Sequence, residues 1–65
     1  MKPKLHPWSP GMKVEKVSGY KFPGVVLAPF YTLSGKLRYA VEAEGEGFEG
    51  MIHIFSPEQL TERKP

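Results

Sequence analysis

Cysteine is absent from this 65-residue chain. That excludes disulfides and thiolate metal sites, and it agrees with a cytoplasmic location. Long apolar runs are absent as well, and nothing approaches the about 20 residues of a membrane-spanning helix. The opening segment MKPKLHPWSP holds two lysines but no apolar stretch, so no secretory signal is expected there. Dense clusters of Lys and Arg are missing. Nine Lys and Arg stand against seven Glu, a formal net charge of +2, and nucleic acid is not an expected partner. The two histidines, His6 and His53, lie far apart without ligand-like spacing, so no metal is expected. There are no internal repeats and no long linkers.

Size is scarce too. A chain this short forms one domain and buries only about 60% of its unfolded surface. Such a core rarely supplies more than about 3–5 kcal/mol. With disulfides and metal excluded, self-association is the remaining source of stability.

What is present reads as β-structure. Residues 1–11 hold Pro3, Pro7 and Pro10 without periodicity and predict an extended arm, tied down by Trp8. A domain of residues 12–63 follows. Residues 12–17 read as a first strand, and residues 18–24 as a loop with two glycines, one proline, Tyr20 and Phe22. Residues 25–31 read as a second strand, with Pro29 marking an edge or a bulge. Residues 32–36 form a hairpin loop with Gly35 near its end. In residues 37–43 Leu37, Tyr39 and Val41 alternate with Arg38 and Glu42, which predicts the first set inside and the second outside. An acidic, glycine-rich turn leads to a strand over residues 50–55. Ser56-Pro57 predicts one helical turn, of the 3-10 kind, and residues 61–63 a short closing strand.

The fourth strand contains MIHIF. Met51, His53 and Phe55 point one way, and Ile52 and Ile54 the other. Both faces carry large apolar groups, although a small domain has one core. The second face therefore needs something to cover it. Four or five short strands with tight turns predict an all-β fold, a small, strongly bent barrel.

Three pieces of the chain, VEKVSGYKFPGVV, YAVEAE and GMIHIFSPEQL, resemble the type II dihydrofolate reductases, the plasmid-encoded enzymes insensitive to trimethoprim. That family shares a V-x-K-x-S-G-x-x-W-x-G strand and loop, a Y-A-V-E-S-E strand and a V-Q-I-Y strand. The resemblance runs from about Gly11 to Glu62, most of the domain. It implies an SH3-like barrel that assembles as a homotetramer around a central pore, where NADPH and dihydrofolate lie against each other. By position it implies catalytic roles for His53, Ile54 and Phe55. It implies cofactor contacts for Lys16, His53 and Ile54, and substrate contacts for Lys16, His53 and Phe55.

This sequence departs from the family pattern at several points. His53 stands where the family has glutamine, Phe55 where it has tyrosine, and Phe22 where it has an interface tryptophan. Ala43 and Glu46 fall near the positions of a serine and a histidine that pair across subunits in the family, and the adjoining turn is about two residues longer. Histidine keeps a planar ring with a donor and an acceptor; phenylalanine loses a hydroxyl.

Taken without the resemblance, each residue has a plainer reading. Lys16 is by default a solvated lysine, His53 a half-buried histidine bonded to the backbone, and Ile54 and Phe55 core. Tyr20 and Phe22 are either interface anchors or a lid over the core. Small barrels of this kind also serve as non-catalytic binding modules for protein or nucleic acid, so the site has to decide the function.

Overall fold

The computed structural model describes residues 7–63. Five strands are present: β1 (Lys13–Lys16), β2 (Gly24–Tyr31), β3 (Leu37–Ala43), β4 (Ile52–Phe55) and β5 (Leu60–Glu62). A 3-10 turn, Pro57–Gln59, joins β4 to β5. The strands make one antiparallel sheet in the order β4-β3-β2-β1-β5. The all-β reading and the single 3-10 turn hold. Barrel closure would require β4 and β5 to pair, and the sheet is open: they form its two edges. Among the described residues no helix is long and apolar enough to cross a membrane.

Among the described residues no helix covers the sheet, so its apolar face is buried by curving the sheet over itself. The core shows that it does. Val14 of β1, Val26 of β2, Tyr39 and Val41 of β3, Phe55 of β4 and Leu60 of β5 form one cluster, joined by Phe22 from the β1–β2 loop. The alternation expected in β3 is observed: Tyr39 and Val41 are fully buried, and Leu37 packs against the cluster. Residues 7–11 of the arm are tied down as expected. The Trp8 indole N–H donates to the Pro57 carbonyl at 3.2 Å, and the Trp8 backbone N–H donates to the Tyr39 hydroxyl at 3.3 Å. Residues 1–6 of that expected arm lie outside the described residues.

Pro29 marks both features expected of it. The β2–β3 register shifts between Val26 and Ala28, leaving Leu27 as the extra residue. Beyond that point β1 no longer pairs with β2, so the missing N–H of Pro29 falls on a locally free edge. The hairpin loop closes with Gly35 N–H on the Thr32 carbonyl at 2.8 Å, and Gly35 takes a φ of +87° that suits glycine. Closing strand β5 begins one residue earlier than expected, because Leu60 already pairs with Lys16.

Gly24 is required for a different reason: close approach. A Cβ there would stand 2.5 Å from the Glu42 carbonyl oxygen and 2.8 Å from Cγ1 of Val41. Both obstacles belong to β3, which cannot retreat without breaking the ladder. Gly24→Ala is expected to cost about 1–3 kcal/mol, read as a lowered urea midpoint. An unchanged midpoint would mean that β2 and β3 are less closely apposed than this.

A charged clasp fastens the end of β5 to the rest of the sheet. The Arg63 guanidinium binds the Glu44 carboxylate and donates to the Gly24 carbonyl at 3.3 Å, while Lys13 Nζ lies 3.4 Å from Glu44. The hydrogen bond from Arg63 holds the Glu44 carboxyl below its ordinary value, against desolvation that would raise it, with the charges of Arg63 and Lys13 adding to the lowering. A depressed carboxyl stabilises the fold above its unfolded value, and this stabilisation is lost as pH falls through the folded value. Glu44→Gln should therefore be less stable than the parent at neutral pH, with the two converging in acid. Urea midpoints between about pH 7 and pH 3 read this directly. A difference that persists at the acid end would assign the effect to packing.

Candidate functional site

Strand β1 ends at Lys16, where Ser18 and Gly19 turn the chain; Gly19 has a φ of +82°. Lys16 pairs with the buried Leu60 and thus lies on the core-facing side of the sheet, at its rim. Its ammonium donates to the Ser18 carbonyl at 2.8 Å and lies 4.6 Å from the centre of the Tyr20 ring. These two contacts hold the long side chain along the loop instead of leaving it free in solvent.

The same loop then crosses to β4. The Tyr20 hydroxyl is 3.3 Å from Nδ1 of His53. Phe22 stacks on the imidazole, with centroids 4.4 Å apart and planes 24° apart, and meets Phe55 edge-on at 5.3 Å. Register explains the arrangement. His53 pairs with Val41 and Phe55 with Tyr39, so both face the core side. Phe55 is 2% exposed and forms part of the core. His53 lies one pleat nearer the rim, on top of Phe22, and remains exposed.

The four residues singled out by the resemblance therefore separate. Lys16 and His53, 37 positions apart in the chain, are brought onto one patch, with Tyr20 touching both. Phe55 supports that patch from beneath, through Phe22, with its ring buried in the core. Ile54 pairs with Ala40 on the opposite face and is 51% exposed, next to Ile52 at 48%. Sequence reasoning gave Tyr20 and Phe22 as either interface anchors or a lid over the core. Phe22 proves to be both core and lid.

Chemically, the patch offers one cation, one imidazole and an aromatic floor. No carboxylate belongs to this cluster, so the patch suits an anionic ligand with a flat, hydrogen-bonding part. Among the described residues no group of three or more His, Asp or Glu is placed to hold a metal ion.

Two depressions lie elsewhere. One of about 290 Å³ is lined by Val25, Leu27, Glu42, Glu44 and Glu49, and its carboxylates would repel an anion. A smaller one of about 110 Å³ lies between Phe22, Phe48, Met51 and Lys21. Neither includes Lys16 or His53.

Much apolar surface is left over. Among the described residues ten large apolar side chains are more than a third exposed, against seven in the core. Compared with known proteins, the chain matches no family model, no curated protein and no solved structure.

Proposed function

We propose that this chain is the subunit of a homotetrameric, NADPH-dependent reductase of dihydrofolate, as its resemblance to the type II dihydrofolate reductases implies. The observation that carries the reading is the meeting of Lys16 and His53 through Tyr20. Two of the residues expected at the pore lie at one exposed patch although the chain separates them widely.

The patch fits the two ligands. NADPH brings phosphates and dihydrofolate brings glutamate carboxylates, and Lys16 attracts both. Each also has a flat ring bearing amide groups, which His53 can bind and orient. NADPH supplies the hydride; the protein's part is to hold the two rings together and keep water out. The exposed Ile52 and Ile54 give a surface for a neighbouring subunit to cover, the burial that a chain of this size needs. No acid in the patch can protonate the pterin, so the substrate must arrive protonated from solvent, and the rate should fall as pH rises above neutrality.

A second reading is favoured by Phe55. Its ring lies in the protomer's own core, as in a small sheet protein that binds a partner without catalysis. One experiment separates the two readings: light scattering for the mass, and NADPH oxidation with dihydrofolate as acceptor. The reductase reading expects a tetramer, dihydrofolate-dependent oxidation and poor inhibition by trimethoprim. A monomer that oxidises no NADPH would favour the binding module instead.

A further inference from the structure

Tyr20 touches both polar groups of the patch, and its two contacts differ in kind. Its ring face lies under the Lys16 ammonium, and its hydroxyl meets Nδ1 of His53 at 3.3 Å. A phenol is the better donor of this pair, because its oxygen lone pair is drawn into the ring, whereas an unprotonated imidazole nitrogen is a strong acceptor. The ammonium over the ring polarises the phenol further toward donation. When Nδ1 accepts, the neutral imidazole must carry its proton on Nε2. Phe22, stacked on the ring at 4.4 Å, resists tilting, and a flip would set a carbon opposite the phenol and lose the bond. Nε2 has no hydrogen-bond partner among the described residues, and His53 is exposed.

We propose that Tyr20 is a positioning residue: its O–H holds His53 in the Nε2–H form, so that the patch takes a ligand through a carbonyl oxygen acceptor beside the anion met by Lys16. The proposal rests on the reading of Lys16 and His53 as a ligand site. It adds which ligand atom His53 meets: the oxygen of a carboxamide or ring carbonyl, not its N–H group. A glutamine carries donor and acceptor together and can turn to offer either; a histidine held by Tyr20 offers one.

The test uses Tyr20→Phe, which keeps the ring under Lys16 and removes only the hydroxyl. Tyr20 is 53% exposed, so the variant should fold. In a His6→Gln background His53 is the only imidazole, and long-range proton–nitrogen NMR at mildly alkaline pH reads its tautomer on the free protein. The parent should show an unprotonated Nδ1 and a protonated Nε2. In Tyr20→Phe the two nitrogen signals should move toward each other as both forms become populated. A parent with the proton on Nδ1, or a variant spectrum identical to the parent's, overturns the proposal.

Titration with NADP⁺ and with its thioamide analogue, whose sulfur is a weaker acceptor, tests the ligand side. The parent should prefer NADP⁺. Tyr20→Phe should bind it about two- to tenfold more weakly, lose the preference, and keep the parent's salt dependence, because Lys16 is untouched. Equal affinity of the parent for both nucleotides overturns the acceptor assignment. Failure of both to bind refutes the nucleotide site itself, and the tautomer result then decides the role of Tyr20 alone.

Discussion

Tyr39→Ala is expected to leave no folded population at room temperature, whereas Tyr39→Phe folds. Tyr39 is fully buried at the centre of β3, paired with Pro29 of β2 on one side and Phe55 of β4 on the other. Truncating a large buried aromatic costs about 3–5 kcal/mol, since the cavity adds to the lost burial. A core of this size supplies only about 3–5 kcal/mol in total, so the substitution removes all of it. Removing the hydroxyl alone loses one hydrogen bond from Trp8, about 0.5–1.5 kcal/mol, and the domain survives. Far-UV circular dichroism and urea titration, both at low protein concentration, separate these outcomes. Low concentration matters because assembly would add stability by mass action. A cooperative transition in Tyr39→Ala near the parent's midpoint would show that the core is not organised around β3.

Lys16→Met should have the largest effect on ligand binding. Methionine keeps most of the apolar stem and removes the charge, and in a tetramer one substitution changes four positions. An exposed lysine–anion contact is worth roughly 0.5–1 kcal/mol. Two such contacts per ligand give about five- to thirtyfold in each Michaelis constant. The contacts at Ser18 and Tyr20 already order the side chain, so little further ordering opposes binding. In the parent, affinity should weaken with added salt as screening shortens the reach of the charge; in Lys16→Met that slope should flatten. Lys13 is the control. It pairs with Val25, on the face opposite Lys16, and its ammonium lies by Glu44. Lys13→Met should leave both Michaelis constants and their salt slopes in place. If Lys16→Met binds NADPH as tightly as the parent at low salt, Lys16 is a surface lysine without a ligand role.

The sequence was most legible where a single period dominates. Strand β3 alternates cleanly, and its boundaries and inner face follow from that pattern. The Ser-Pro start of the 3-10 turn was equally direct, because proline has few places to go. Strand β2 was legible in its extent and, through Pro29, in its irregularity, but not in where the register slips. In VVLAPF both parities are apolar, so the pattern does not single out Leu27 as the extra residue. The parity of MIHIF was readable, but which parity faces the core was not. Only the pairing of Phe55 with Tyr39 decides that, and it sends Phe55 inward and Ile54 outward. The Tyr20–His53 contact spans 33 positions and depends on the path of a loop, which no local pattern encodes.

Strand β4 has a consequence for handling the protein. It is an edge of the sheet, so one side of its backbone has no strand partner among the described residues. Its sequence IHIF contains no proline, no lysine and no carboxylate, the usual guards of a free edge, and two exposed isoleucines flank the imidazole. A segment of this kind is a template for further strands. If subunits of the proposed tetramer cover β4, variants that break that contact should not yield quiet monomers on concentration. They should precipitate with a rising thioflavin signal, and a single Ile54→Lys in the same strand should keep them in solution.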